Sequence, residues 1–155
     1  MSSSTELLLL GLKAQLVAWF GNPAHWDTVA NGAVDVARNI SVPETIPAGG
    51  SIILRDGKVI NKDYVLGSRT VFYSREVEIE AYVENANETA RDAAYDLLTV
   101  AIGACIESDT TIGGTALGCL YDRDEQPIHP VDGGDGIKAG MIKPIFDYTA
   151  ATPLS

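Results

Sequence analysis

The chain has 155 residues, enough for one ordinary domain and too few for two comfortable ones. A hydrophobic content of 46% with 21% charged residues is typical of a globular protein and excludes a disordered one. The formal net charge is −10, with 11 Lys and Arg against 21 Asp and Glu. This excess argues against a dedicated nucleic-acid-binding protein, because phosphate contacts need basic side chains. It suits a surface that DNA slides past.

The run Leu7–Leu10 has the apolar character of a signal peptide, but no basic region precedes it, and Gly11 and Lys13 interrupt it. No segment approaches the ~20 apolar residues that a membrane span needs. The sequence therefore predicts a soluble cytosolic product with no membrane segment. Cys105 and Cys119 fit buried thiols in a reducing compartment, and a disulfide between them is the alternative.

The first predicted element is a helix over residues 5–20. Ser3 and Glu6 form a capping-box pattern, and apolar residues follow at helical spacing. Because the apolar arc is wide, we expect burial on more than one side, partly against a neighbouring subunit. The residues assigned to this candidate interface are Leu9, Leu12, Leu16 and Trp19.

Residues 21–50 contain several turn signals and no sustained period. A stretch of this length without regular structure is unusual in a compact domain and is often functional. We predict a long loop or assembly arm, with a mobile surface loop that carries a short strand as the alternative.

Asp56-Gly57 is the strongest short hairpin signal in the chain, because a type I′ turn needs positive φ at both central residues. It predicts a hairpin between strands at 51–55 and 58–66. Gly67-Ser68 then turns the chain into the next strand.

Residues 70–84 alternate between apolar odd positions and mainly polar even positions. This period of two predicts an antiparallel strand with one buried face and one solvated face. The even positions include an acidic stripe formed by Glu76, Glu78, Glu80 and Glu84.

A helix is predicted next, with its apolar side running from Ala90 to Cys105 and a capping signal in Asn85 and Glu88. A tight turn over residues 109–114 follows this helix. Its glycines permit positive φ, and an Asp side chain can accept hydrogen bonds from nearby backbone N–H groups. The candidate structural turn consists of Asp109, Gly113 and Gly114.

The remaining chain predicts a strand at 116–122, a polar loop, a strand at 137–148 and a terminal arm at 149–155. Pro144 cannot donate to a ladder, so the last strand should be bulged there or lie at an edge. The element order predicts an α+β fold, a mostly antiparallel sheet with helices packed on one face, in a single domain over residues 1–155.

No nucleotide-binding or hydrolase motif occurs, and His25 and His129 each lack a metal-ligand neighbour at a suitable spacing. Five carboxylates offer oxygen ligands for a hard cation, although their glycine-rich surroundings are also typical of turns. They are Asp122, Asp124, Glu125, Asp132 and Asp135. We expect no metal, no cofactor and no catalytic site.

Several motifs resemble, in their order, the tail terminator (tail-completion) family of long-tailed bacteriophages. They are Asp56-Gly57, the strand segment Glu76–Glu80, the helix segment Ala93–Ile106, the turn Asp109–Gly114 and the last segment Phe146–Thr149. The turn is similar to the family's D-x-T-L-G-G, with Ile112 in place of Leu, and the last segment to its closing β-Y-T. The resemblance covers about residues 50–150 and leaves residues 21–50 unmatched.

The resemblance implies a homohexameric ring that caps the finished tail tube, ends its polymerisation and presents a head-joining surface. Its partners would be copies of itself, the tail-tube protein below and the head–tail connector protein above, with genomic DNA passing through unbound. The protein would sit at the top of the tail tube in the virion after assembly in the host cytoplasm. We expect Glu76, Glu78 and Glu80 to face the ring lumen, where they repel DNA. Outer solvent or an inter-subunit salt bridge is the alternative.

Two other functions stay open. The same fold serves head–tail connector and tail-tube subunits, so the fold alone does not fix the position in the virion. A remoter alternative is a small intracellular thiol acyltransferase or hydrolase, because Cys119, His129 and Asp132 include the residue types of a thiol triad.

Overall fold

The computed structural model describes residues 2–41, 43, 45–120, 126–128 and 136–152. Its helices are α1 (Ser4–Gly21), α2 (Thr28–Asn31) and α3 (Glu88–Ser108). Its strands are β1 (Val34–Arg38), β2 (Gly50–Tyr64), β3 (Val71–Glu84), β4 (Gly118–Leu120), β5 (Gln126–Ile128), β6 (Ile137–Ile142) and β7 (Ile145–Ala150). The predicted α+β class is confirmed. None of the described helices has the length and hydropathy to cross a membrane.

β3 is the central strand of the sheet and has three partners. It pairs with β2 over residues 71–82, with β6 at residues 79–84 and with β7 at residues 71–76, all antiparallel. β5 extends the sheet beyond β6, β4 extends it beyond β7, and β1 lies outside β2. The long β3 predicted from residue alternation is therefore the strand to which all the remaining strands are joined, directly or through β2, β6 or β7.

The main core lies between the two long helices and the face of β3 formed by its odd-numbered residues, as the alternation predicts. Buried residues of this core include Leu8, Leu98, Ile102, Val77, Ile79 and Ala81. A second, smaller cluster occupies the opposite face of the sheet around Ile53, Tyr82 and Ala139. The even-numbered face of β3 is therefore partly buried, which the simple alternation did not indicate.

The predicted hairpin at Asp56-Gly57 is wrong, because β2 continues through these two residues. Arg55 pairs with Glu78 and Lys58 pairs with Glu76, so two residues of β2 lie opposite one residue of β3. This is a β-bulge, and Gly57 adopts the positive φ of 66° that a bulge glycine commonly provides. The same Asp-Gly chemistry that favours a turn here bends a continuous strand.

The reversal between β2 and β3 occurs at residues 65–70, as the Gly67-Ser68 signal predicts. Ser68 N donates to Val65 O at 3.2 Å, and Gly67 has a φ of 75°. The result is one long β2–β3 hairpin.

The prediction for residues 21–50 is corrected, because the segment contains α2 and β1. Asp27 caps α2 through Val29 N and Ala30 N. β1 pairs in parallel with the first residues of β2, from Val34 opposite Gly50 onward. A single helical turn and a five-residue edge strand are too short to produce a period that can be recognised in the sequence.

The predicted last strand is divided in two at Lys143-Pro144. Pro144 accepts a hydrogen bond from Val77 N at 2.9 Å through its carbonyl, so the break stays attached to β3. β7 continues to Ala150, and the predicted terminal arm at 149–155 is therefore wrong for its first two residues. The last three residues lie outside the described part of the chain.

An ion-pair network joins α1, β1 and the bulge. Arg38 donates to both carboxylate oxygens of Glu6, at 2.8 and 2.9 Å, and through Nε to Asp56 Oδ1 at 3.0 Å. The fork geometry of a guanidinium suits this double contact. The network fixes the first turn of α1 over the bulged part of β2.

Acidification should weaken this network. The hydrogen bond from Arg38 holds the pKa of Glu6 below its ordinary value of 4.5. The ionised carboxylate therefore stabilises the fold above that pH, and the contribution is lost as the pH falls through the folded-state pKa. We expect the unfolding free energies of wild type and Glu6→Gln to differ at about pH 7 and to differ less as the pH falls below 4.5 in urea titrations. A difference that is equal at both pH values would contradict the assignment.

Candidate assembly surfaces

The acidic stripe on β3 is divided into buried and exposed members. Glu80 is buried, Glu76 and Glu78 are partly buried, and Glu84 is exposed. Glu76 lies 3.8 Å from Lys143 Nζ, a loose ion pair. Among the described residues, Glu76 and Glu80 thus have a cationic group within 4 Å, and Glu78 and Glu84 have none. Nothing tests whether this face borders a lumen, so that role stays a prediction.

Glu80 belongs to a small polar cluster on the second face of the sheet. Arg55 Nε contacts Glu80 Oε1 at 2.9 Å, and Tyr82 donates to Glu80 Oε2 at 3.1 Å. Burial, followed by the adjacent carboxylate, raises the pKa of Tyr82 to about 12. Arg55 also donates to Ser41 O at 2.9 Å. The cluster ties β2 and β3 to the segment after β1, a structural role that alternation alone concealed.

The turn after α3 is built around Asp109. Its carboxylate accepts from Thr111 Oγ1 at 2.6 Å, Thr111 N at 3.0 Å and Gly113 N at 2.9 Å. These bonds, with the Thr111 hydroxyl first, lower the pKa of Asp109. Gly113 and Gly114 both have positive φ. The turn places Ile112 in the core, where its side chain is 1% exposed.

The predicted subunit interface on α1 is corrected. Leu9, Leu12 and Leu16 are fully buried in the core of their own chain. Turning these side chains out of the core toward a neighbouring subunit would cost the single chain about 1.5–3 kcal/mol of folding free energy for each leucine. They therefore stabilise the subunit itself. Trp19 is partly buried and stacks on His25, with ring centroids 3.8 Å apart. The exposed apolar side of α1 is formed by Leu7, Leu10 and Val17.

The end of the β2–β3 hairpin forms an exposed extension, which we call the hairpin arm (residues 57–69). Every residue in it is exposed. It carries three of the 11 basic residues and one of the 21 acidic residues of the chain. Its exposed apolar side chains are Val59, Ile60, Tyr64, Val65 and Leu66. The sequence signal for this surface is the apolar and basic composition after the bulge, which by itself predicts only an ordinary strand.

The outer side of α3 carries a second apolar surface, which we call the α3 stripe (Ala90, Ala93, Leu97 and Val100). All four residues are exposed, and Leu97 and Val100 are each 43% exposed. The stripe borders an open hollow of about 320 Å³, lined also by Trp26, Ala30 and Ala48. Acidic residues of α3 lie beside it, as Asp92, Asp96 and Glu107.

The two thiols are poorly placed for nucleophilic chemistry. Both cysteines are free, and they are not joined in a disulfide. Burial raises the pKa of Cys105 to about 12, and burial together with the charge of Asp147 does the same for Cys119. Since the thiolate is the nucleophile, this geometry gives the thiol-enzyme alternative no support. His129 and Asp132 lie outside the described residues.

Thiol labelling of the native protein should therefore be slow. At about pH 8, a thiol with a pKa near 12 is almost entirely protonated. We expect a chromogenic disulfide reagent to modify neither cysteine rapidly in buffer and to modify both in guanidinium chloride. Rapid native modification that disappears in Cys119→Ala would contradict this expectation and favour the enzyme.

No group of three His, Cys, Asp or Glu residues that could hold a metal occurs among the described residues. The five carboxylates considered above for a cation lie outside that part of the chain. Comparison with known protein families found no match, and comparison with curated proteins found none either.

Proposed function

We propose that the chain is a structural subunit of a phage virion, which forms a ring that caps the tail tube and ends its polymerisation. The ordered resemblance over residues 50–150 supports the place in the tail. The geometric observation that carries the ring is that one chain exposes two unlike surfaces, the hairpin arm and the α3 stripe. A closed heterologous ring needs such a pair, because each subunit uses a different patch toward each neighbour.

In this proposal, the ring contacts the tail-tube protein on one side and the head–tail connector on the other. It sits at the top of the tail, after assembly in the host cytoplasm. The even-numbered side of β3 faces the lumen, and DNA passes along it without binding. The net charge of −10 supports this arrangement, since like charge keeps a polyanion from adhering.

Electron microscopy of lysates from a phage that cannot make this protein tests the proposal. Full heads beside separate tails of irregular, excessive length are the expected result. Unjoined tails of normal length would make the protein a connector component, and an absence of tails would make it a tube or initiation protein. Normal infectious particles would overturn the structural role altogether.

Removing charge from the lumen face should slow DNA ejection while leaving the tails intact. The suitable variant combines Glu78→Gln with Glu84→Lys, because Glu78 lies opposite Arg55 and a lysine there would add a like-charge pair. Ejection is followed by the fluorescence of a DNA dye after receptor addition. Asp35→Lys changes an exposed acidic residue on β1 and serves as the control. Unchanged ejection in the lumen-face variant would contradict the placement of this face.

A further inference from the structure

The hairpin arm combines exposed apolar side chains with an excess of basic residues. Its tip residue Leu66 is 100% exposed, and Tyr64 is 63% exposed. The basic residues of the arm are Lys58, Lys62 and Arg69, all exposed, and Asp63 is its single acid. None of the described residues covers the arm, since every residue in it is exposed. A contiguous apolar surface with charge of one sign favours a partner that is apolar and oppositely charged.

The α3 stripe has those complementary properties. Leu97 lines the open hollow, which offers room for an apolar side chain, and the exposed Val100 follows it on the same stripe. α3 carries four acids and one base, and Asp96 and Glu107 lie within about 60° of the stripe on the helical wheel. Asp92 contacts Lys138 at 3.2 Å, but their side chains are 55% and 41% exposed. An exposed pair of this kind exchanges partners at little cost.

We propose that the hairpin arm of one copy binds the α3 stripe of a second copy, with Leu66 at the hollow and Lys62 and Arg69 toward the acids of α3. This inference rests on the proposed ring and names the two surfaces that close it. The two patches differ, so the contact is heterologous and leaves one arm and one stripe for further copies. Because each contact leaves an unused arm and an unused stripe, further copies can add until the ring closes.

The exposed side of α1 is a poorer partner for the arm. It is also apolar, through Leu7, Leu10 and Val17. Its acid Glu6 is held by Arg38, and its other charge is Lys13. The arm would therefore meet no acidic complement on α1, and charge complementarity selects α3.

Two charge-reversed variants test the contact. The arm variant is Lys62→Glu with Arg69→Glu, and the α3 variant is Asp96→Lys with Glu107→Lys. Sedimentation and native mass spectrometry should show a ring for wild type and a dissociation constant raised at least about tenfold for each variant alone. Mixing the two variants should restore rings of alternating subunits, because the native arm of one fits the native stripe of the other and the two charge-reversed patches also fit each other. A chain that carries all four substitutions should assemble again.

Matched controls separate assembly from folding. Lys13→Glu and Asp35→Lys each reverse one charge of the same sign elsewhere and should leave the ring intact. Leu66→Ser should weaken the ring, and Leu10→Ser, at an exposed leucine of α1, should leave it intact. Thermal unfolding checks that every variant is folded. Rings that are unaffected by the arm and α3 variants would overturn this contact and leave the proposed function standing. A wild type that stays monomeric both alone and on purified tails would overturn the ring itself.

Discussion

Gly57→Val is expected to lower the free energy of unfolding by about 3 kcal/mol or more. Gly57 has a φ of 66°, a conformation that a β-branched residue adopts only with strain. A Cβ placed there would lie 1.7 Å from Glu76 O and 3.0 Å from Val77 Cα. Both atoms belong to the backbone of β3, so neither can move without disturbing the ladder. Guanidinium unfolding followed by circular dichroism measures the loss.

Gly67→Val is the matched control for this substitution. Gly67 also has positive φ, at 75°, but no atom lies within 4 Å of the Cβ it would acquire. It should therefore show the conformational cost alone, about 1–2 kcal/mol. Equal losses at the two glycines would mean that the close approach of β2 to β3 at the bulge does not contribute.

The strand β3 and the helix α3 could be predicted because their patterns are long and local. Fourteen residues of β3 alternate with few exceptions, and the period changes where α3 begins, although the helix is capped by Asn87 and not by the predicted Asn85. The turn at Asp109 was equally readable, since its side chain bonds backbone groups only two and four residues away. Signals of this kind depend on neighbours in sequence, which a single chain displays.

The failures come from interactions between distant residues. Asp56-Gly57 has the chemistry of a turn, but the antiparallel pairing of β2 with β3 continues past it and makes it a bulge. β1 owes its existence to parallel pairing with β2, which leaves no local trace. Leu12 and its neighbours were assigned to a partner because α1 is apolar nearly all round. The sequence alone does not say which side its own core covers.

Glu80 shows the same limit at the candidate site. Its position in an alternating strand predicted a solvated carboxylate, but Tyr82 and Arg55 enclose it. The cause is the segment after β1, which crosses this face and contributes Ile46 to the second cluster. The acidic stripe is therefore a surface feature at Glu84 and a structural feature at Glu80.

Glu80→Lys should consequently destabilise the subunit by about 3 kcal/mol, because it replaces one partner of a largely buried ion pair with a like charge. Glu80 is 7% exposed, and the Arg55 side chain is 26% exposed, so water screens the pair only in part. Urea unfolding compared with Glu84→Lys, an exposed position on the same strand, measures the effect. The control should change the unfolding free energy by less than about 0.5 kcal/mol.

The double variant Glu80→Leu with Arg55→Met should recover much of the stability lost in Glu80→Lys, since an apolar pair of similar size leaves no charge buried. Overlong, unjoined tails in a Glu80→Lys phage would then report misfolding of the subunit, whatever lines the lumen. A Glu80→Lys protein as stable as Glu84→Lys would show that Arg55 and Glu80 do not hold the second face together. Both carboxylates could then be reversed in a test of DNA passage.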